Sequence, residues 1–257
     1  MKKYRSIFIS DIHLGTHGSK AAQLCSFLKA NDAENLILVG DIIDGWRLKE
    51  RWYWPQEHSN VIRRILTAAK RQTSVHYILG NHDEQFRHWI KDIGKIGEIH
   101  LANRMDYMGL DGKNYLVVHG DMFDTLMHGG TFIIHLGDKI YDILIRLNQV
   151  LAWIRSKLNL PYWSFSKWIK HNTKRAVQYI GSYEQHLAAY CVQKGYDGVI
   201  CGHIHAAEIK NIEGVIFMND GDWVESCTAL VEHIEGRWEI ITWSEILVEI
   251  PNQNLLR

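Results

Sequence analysis

The sequence offers little that would staple, anchor or hinge it. Its four cysteines, Cys25, Cys191, Cys201 and Cys227, are scattered and form no Cys-x-x-Cys pair. That usage fits a reduced, cytosolic compartment better than a disulfide framework. Only three prolines occur, with no Ser/Gly/Pro tract, which argues against a flexible linker between domains. Long apolar runs are missing too. The longest stretch without a formal charge, Thr125–Gly137, has thirteen residues, whereas a spanning helix needs about 20 apolar ones. Behind Lys2 and Lys3 the apolar segment reaches only about five residues before Asp11, short of the roughly 7–15 that a signal peptide requires. Net charge is also absent, with 29 Lys+Arg against 29 Asp+Glu, so the total names no partner. The expectation is a cytoplasmic chain without a transmembrane segment.

What is present is a chain of 257 residues, 46% hydrophobic and 23% charged, long enough for a substantial core. We read it as one domain over residues 1–257. Its 15 histidines are many for this length and need explaining. The balanced charge is also unevenly spread. Residues Thr131–Ile180 hold eight Lys or Arg and two Asp, a net +6, which leaves −6 for the rest.

Ser6–Ile9 is a short apolar run ending in Asp11-Ile12-His13, the pattern of a strand buried on both faces. Gly18–Ala30 has a helical period, and Asn35–Val39 reads as a second strand ending in Gly40-Asp41. Pro55–Arg71 reads as a helix and Ser74–Leu79 as a third strand, ending in Gly80-Asn81-His82-Asp83. This βαβαβ order points to parallel pairing in a layered fold. Asp111-Gly112 between Met105–Gly109 and Asn114–Val118 predicts a hairpin, whose second arm ends in His119-Gly120-Asp121. Gly198–Cys201 is a strand ending in Gly202-His203-Ile204-His205, with further strands over Ala207–Ile212, Val215–Asn219, Thr228–Ile234 and Arg237–Trp243. The fold class is therefore α/β, two packed mixed β-sheets flanked by helices. Residues 122–195 interrupt it as a helical insertion, with a long amphipathic helix over Ile133–Leu158 and another over Asn172–Gln193.

Seven side chains, Asp11, His13, Asp41, Asn81, His119, His203 and His205, stand just past five strand ends. Ligands of α/β proteins gather in that crevice. A carboxylate can bridge two cations, and His and Asn add neutral ligands suited to Mn, Fe or Zn. Two such metals about 3.5–4 Å apart polarise phosphoryl oxygens and make hydroxide from water, which then attacks phosphorus in line. One lone histidine after a strand is ordinarily a core residue. Five ordered motifs of this kind are not.

With Asp11-Ile12-His13, Gly40-Asp41, Gly80-Asn81-His82-Asp83, His119-Gly120-Asp121 and Gly202-His203-Ile204-His205 in place over residues 6–206, the chain resembles the calcineurin-like metallophosphoesterase family. That resemblance implies a phosphoesterase sandwich with a helical cap. It implies Asp11, His13, Asp41 and His205 around one divalent metal, and Asp41, Asn81, His119 and His203 around the other. Mn2+ is the first expectation, with Fe and Zn also compatible. His82 would act beside the leaving group as a catalytic residue, and Asp83 would orient it.

The insertion and Gly221-Asp222-Trp223 look most like UDP-2,3-diacylglucosamine pyrophosphatases of lipid A biosynthesis. This implies a lipid-linked nucleotide diphosphate as substrate and peripheral contact with an anionic inner-membrane surface. Asn81, His82, Lys167, Lys170 and Lys174 would bind substrate. The alternative is a phosphodiesterase or nuclease acting on nucleotides or nucleic acid. A non-catalytic metal-bound scaffold comes third, and nucleic acid is not the expected partner.

Other residues carry plainer readings. Asp44, three residues past Asp41, reads as a turn cap or a partner of Arg47 ahead of a further metal ligand, and Asp121 and Asp222 as loop anchors. Trp46, Trp52 and Trp54 could either line a pocket or pack inside.

Overall fold

A computed structural model of the chain describes residues 2–87, 94–123 and 174–243. The expected helix over Ile133–Leu158, together with Lys167 and Lys170, lies outside the described residues, as does most of the 122–195 insertion.

The elements in chain order are β1 (Lys2–Ile9), α1 (Ala21–Ala30), β2 (Asn31–Val39), α2 (Gly45–Glu50), α3 (Gln56–Lys70) and β3 (Ser74–Ile78). Then come β4 (Lys95–Ile96), β5 (Ile99–Ala102), β6 (Arg104–Met108), β7 (Asn114–Val118), α4 (Lys174–Lys194) and β8 (Gly198–Cys201). The last are β9 (Glu208–Ile212), β10 (Val215–Asn219), β11 (Thr228–Glu232) and β12 (Trp238–Thr242).

Two mixed sheets result. One has seven strands in the order β12-β11-β1-β2-β3-β5-β4, and the other has five in the order β6-β7-β8-β10-β9. In the first, β1, β2, β3 and β5 run parallel; in the second, β7, β8 and β10 do. The expected α/β class of two mixed sheets flanked by helices is the observed one.

Strand alternation sorts the core into layers. Phe8, Ile37, Val39 and Ile78 from the first sheet pack on Tyr115, Val117, Ile200 and Met218 from the second. The intervening positions Ile7, Ile9, Leu36 and Leu38 point the other way, onto Leu24 and Phe27 of α1 and Val61 and Ile65 of α3. On the far side, Leu116, Val199 and Phe217 meet Tyr183, Leu187 and Cys191 of α4. The layers are therefore helix, sheet, sheet, helix.

Several boundaries differ from expectation. β2 begins at Asn31, with no loop after α1, because Lys2–Tyr4 pair along its polar start and the Asn31 amide donates to Phe27 O at 2.9 Å to close the helix. Backbone pairing, not apolar content, extends the strand. α2, β4 and β5 were not expected. β5 carries only four residues, and it joins the sheet by pairing with β3.

This topology brings the carboxyl ends of β1, β2, β3, β7 and β8 to one edge of the sandwich, where the two sheets meet. That edge carries the site.

Candidate metal centre

The turns after β1, β2 and β8 present polar side chains at this edge. Asp11, His13, Asp41, His203 and His205 all have left-handed backbones, with φ of 49°, 49°, 53°, 68° and 51°. Such a conformation costs about 1–3 kcal/mol per residue and persists only where the surroundings enforce it. Asp and His tolerate it better than most residues. The β1 turn is enforced by bonds to its neighbour: Asp11 N donates to Gly40 O at 3.1 Å, and the amides of Ile12 and His13 donate to Asp41 O at 3.0 and 2.9 Å.

Two clusters of motif residues form there, and His13 also groups with Asp44 and His82. Asp11, His13 and His205 gather ligand atoms within 4.8 Å of one another, and so do Asp41, His119 and His203. Asp41 lies between them. Its Oδ2 is 3.3 Å from His119 Nε2 and 3.8 Å from His13 Nε2, while Asp11 Oδ1 is 3.0 Å from His205 Nε2. Asn81 sits between Gly80 and His82, both of which touch Asp41. The structure thus groups six of the seven residues that the motifs single out, with Asn81 next in the chain to His82.

The donor set fits divalent cations. Asp11 Oδ1, Asn81 Oδ1 and His119 Nε2 are buried without a hydrogen-bond partner, at a cost of about 1–3 kcal/mol each if left so. His119 Nδ1 lies 2.8 Å from the Val39 carbonyl. A carbonyl only accepts, so Nδ1 carries the proton and Nε2 is left to ligate. Burial disfavours charge on His119, but the carboxylates of Asp41 and Asp11 outweigh it and hold its pKa well above the ordinary value. Burial raises the Asp41 pKa, yet His119, His82 and His13 together pull it well below the carboxylate range. A site that draws protons onto its imidazoles in this way is a site of negative potential.

Glycines admit the ligands. A Cβ on Gly80 would lie 2.1 Å from Asp41 Oδ1 and 2.7 Å from its amide nitrogen, and one on Gly202 would lie 2.6 Å from Asp11 Oδ2. Gly80→Ala therefore displaces the Asp41 carboxylate. Its expected effect is a stability loss of about 1–3 kcal/mol from overpacking and weaker Mn2+ binding, read by thermal unfolding and metal titration. A variant with wild-type affinity would contradict the close approach.

His82 and Asp83 divide the work differently from expectation. Asp83 does not orient His82. Its carboxylate accepts from the amides of Ile42 and Ile43 at 3.2 and 2.9 Å and from the Tyr77 hydroxyl at 2.5 Å, which pins the β2 loop to the β3 loop. Burial and the Asp41 charge push its pKa up to about 6 against the Tyr77 and backbone bonds. The group beside His82 is Asp44, whose Oδ1 lies 3.0 Å from Nδ1 at ion-pair distance but without a hydrogen-bonding angle. Asp44 also caps α2 by accepting from Arg47 N at 2.9 Å, and its Oδ2 sits 3.1 Å from His13 Nδ1. The cap reading was right and incomplete. Only the spacing in Gly40-Asp41-Ile42-Ile43-Asp44 hinted at more.

Ser10 was overlooked as well. Its hydroxyl lies 2.5 Å from Asp11 Oδ2 and 2.6 Å from Asp220 Oδ1, at the foot of the first cluster. Asp222 anchors its loop by accepting from Val224 N and Ser226 N, and Trp223 is fully buried. Lys174 opens α4, and its side chain lies outside the described part.

The sequence model for the Calcineurin-like phosphoesterase family matches residues 4–207. The chain belongs to that family. Metal-dependent phosphoester hydrolysis is the chemistry that the family and the Asp/His clusters support. Among curated relatives is the DNA polymerase II small subunit of Thermoplasma acidophilum, 24% identical over 246 residues. The alignment covers 84% of this chain but only 44% of that protein, so the chain spans less than half of the relative's length. Among solved structures, Yfce, a phosphoesterase from E. coli, is 14% identical with a TM-score of 0.44, covering 93% of this chain and 99% of that one. An archaeal phosphodiesterase is also 14% identical, with a TM-score of 0.42 and coverage of 92% and 98%. Among the described residues, no helix is long and apolar enough to cross a membrane.

Proposed function

We propose that this family member cleaves the pyrophosphate of UDP-2,3-diacylglucosamine or a related lipid-linked nucleotide diphosphate. The observation that carries the hydrolase chemistry is the pair of Asp/His clusters, with Asp41 of the second facing His13 of the first and His82 beside them. Asp11, His13, Asp41 and His205 would hold one divalent ion, and Asp41, Asn81, His119 and His203 the other, with Mn2+ the first choice. When bound, the ions polarise the phosphoryl oxygens and supply hydroxide at neutral pH.

The chain's own residues do the rest. His82 Nε2 stands 3.9 Å from Asp41 Oδ2. From there it meets the leaving oxygen and passes it a proton as the P–O bond breaks. Asp44 keeps the Nδ1 side of that ring beside a carboxylate. Asn81 and His82 would contact the phosphate, and Lys167, Lys170 and Lys174 the lipid-sugar side.

The lipid-linked substrate is supported by the make-up of the inserted segment. Thr131–Ile180 combines a net +6 charge with apolar residues at three- and four-residue steps, which suits a lipid bearing phosphates and peripheral contact with an anionic membrane surface. The likeness to a DNA polymerase subunit favours a second reading, a phosphodiesterase acting on nucleic acid.

A side-by-side assay with Mn2+ separates them. The expected result is release of UMP from UDP-2,3-diacylglucosamine, sensitive to detergent and acyl length, with little cleavage of oligonucleotides. Oligonucleotide cleavage that falls steeply with salt, with no turnover of the UDP-lipid, would replace the first reading with the second.

A further inference from the structure

His82 is held in an unusual way. A histidine ring rotates broadly about its Cβ–Cγ bond, so a defined direction for Nε2 needs contacts on the ring itself. The Asp44 contact is weak in this respect. Oδ1 already accepts from Arg47 N, and its approach to His82 Nδ1 lacks a hydrogen-bonding angle. His13 meets the ring edge-on, with centroids 4.6 Å apart and planes at 84°. The face contact comes from Trp46, whose ring lies 4.3 Å away in a tilted stack at 38°.

Trp46 is tethered in turn. Its Nε1 donates to Glu84 Oε1 at 2.9 Å, so the indole is tied to the same loop that carries His82. Between Asp44 and Trp46, Gly45 N donates to His82 O at 3.1 Å, and a Cβ there would lie 1.8 Å from Gln85 Nε2. Three consecutive residues therefore grip one histidine, by a carboxylate, a backbone amide and an aromatic face. His82 remains 8% exposed.

We propose that Trp46, clamped by Glu84, is a positioning residue that sets the plane of the His82 ring and so aims Nε2 at the departing oxygen. The role rests on the hydrolase reading above, in which His82 serves the leaving group. When the P–O bond breaks, its electron pair goes to the leaving oxygen and the Nε2 proton follows. A misdirected ring slows that transfer only where the leaving group needs the proton. A p-nitrophenolate leaves without help, whereas an alkoxide does not.

The test compares wild type, Trp46→Leu, Trp46→Phe and Glu84→Gln on methyl phosphodiesters with p-nitrophenolate, phenolate and alkoxide leaving groups. Trp46→Leu is expected to lose about 10- to 100-fold in kcat on the alkoxide substrate and several-fold less on p-nitrophenolate. Trp46→Phe, which keeps a ring face, should recover most of the loss, and Mn2+ stoichiometry should not change.

A second readout needs no turnover. In the Zn2+-loaded protein, the His82 ring protons should be shifted upfield by the indole ring current in NMR spectra, and Trp46→Leu should remove the shift. An equal loss across leaving groups, or unshifted His82 protons in the wild type, overturns the positioning role and leaves the hydrolase reading standing. A wild type inactive on every substrate sinks the hydrolase reading, and this role with it.

Discussion

Asp41→Ala loses at least about 10³-fold in Mn2+-dependent hydrolysis of bis-p-nitrophenyl phosphate, roughly 4 kcal/mol of transition-state stabilisation. The reason is its position. Asp41 Oδ2 is within 4 Å of His13, His82 and His119, so one carboxylate faces ligands from both clusters. Its Oδ1 also accepts from His82 N at 3.0 Å, which sets the height of the His82 loop. Loss of the side chain thus removes the shared ligand and releases the loop of the proposed proton donor together. Asp41→Asn separates the two effects. The amide keeps the volume and an oxygen for His82 N but carries no charge. We expect it to match the wild-type fold more closely in thermal unfolding and still be inactive. Turnover by either variant within tenfold of wild type would remove Asp41 from the proposed bridge.

The layered fold was legible because each element carried its own local signal. Ile7 and Phe8 alternate between two apolar surroundings, and the sequence shows this as an unbroken apolar run. Asp111-Gly112 marked the hairpin because its turn needs a positive φ, and Gly112 has one at 75°. The two Asp/His clusters were legible because their residues stand at strand ends in short motifs. What escaped notice depends on distant partners. Asp44 looks like a cap from its neighbours alone, since His82, 38 positions later, is invisible to local reading. Asp83, adjacent to His82, was assigned to it by proximity in sequence. The turn instead sends its carboxylate back to Ile42 and Ile43. β4 and β5 were missed for a similar reason. Two and four residues give too little periodicity, and only the pairing of β5 with β3, and of β4 with β5, makes them part of a sheet.

The charge state of the site gives the second large effect. Wild-type protein should bind two Mn2+ per chain, and His119→Ala only one. His119 belongs to the Asp41/His203 cluster and is not a member of the Asp11/His13/His205 cluster. His13→Ala is the mirror experiment and should leave the other ion in place. Binding should also strengthen with rising pH, and the sign follows from the imidazoles. Burial works against charge on His13 and His119, but neighbouring carboxylates raise both pKa values well above the ordinary value. A histidine must give up its proton before it can ligate. Below the raised pKa each ion therefore displaces protons, and above it the ions bind without that competition. Titration calorimetry in two buffers of different ionisation enthalpy measures the released protons directly. Proton release should shrink in His119→Ala along with the stoichiometry. A variant that still binds two ions, or a wild type whose affinity is flat with pH, would break the link between the two clusters and two metals.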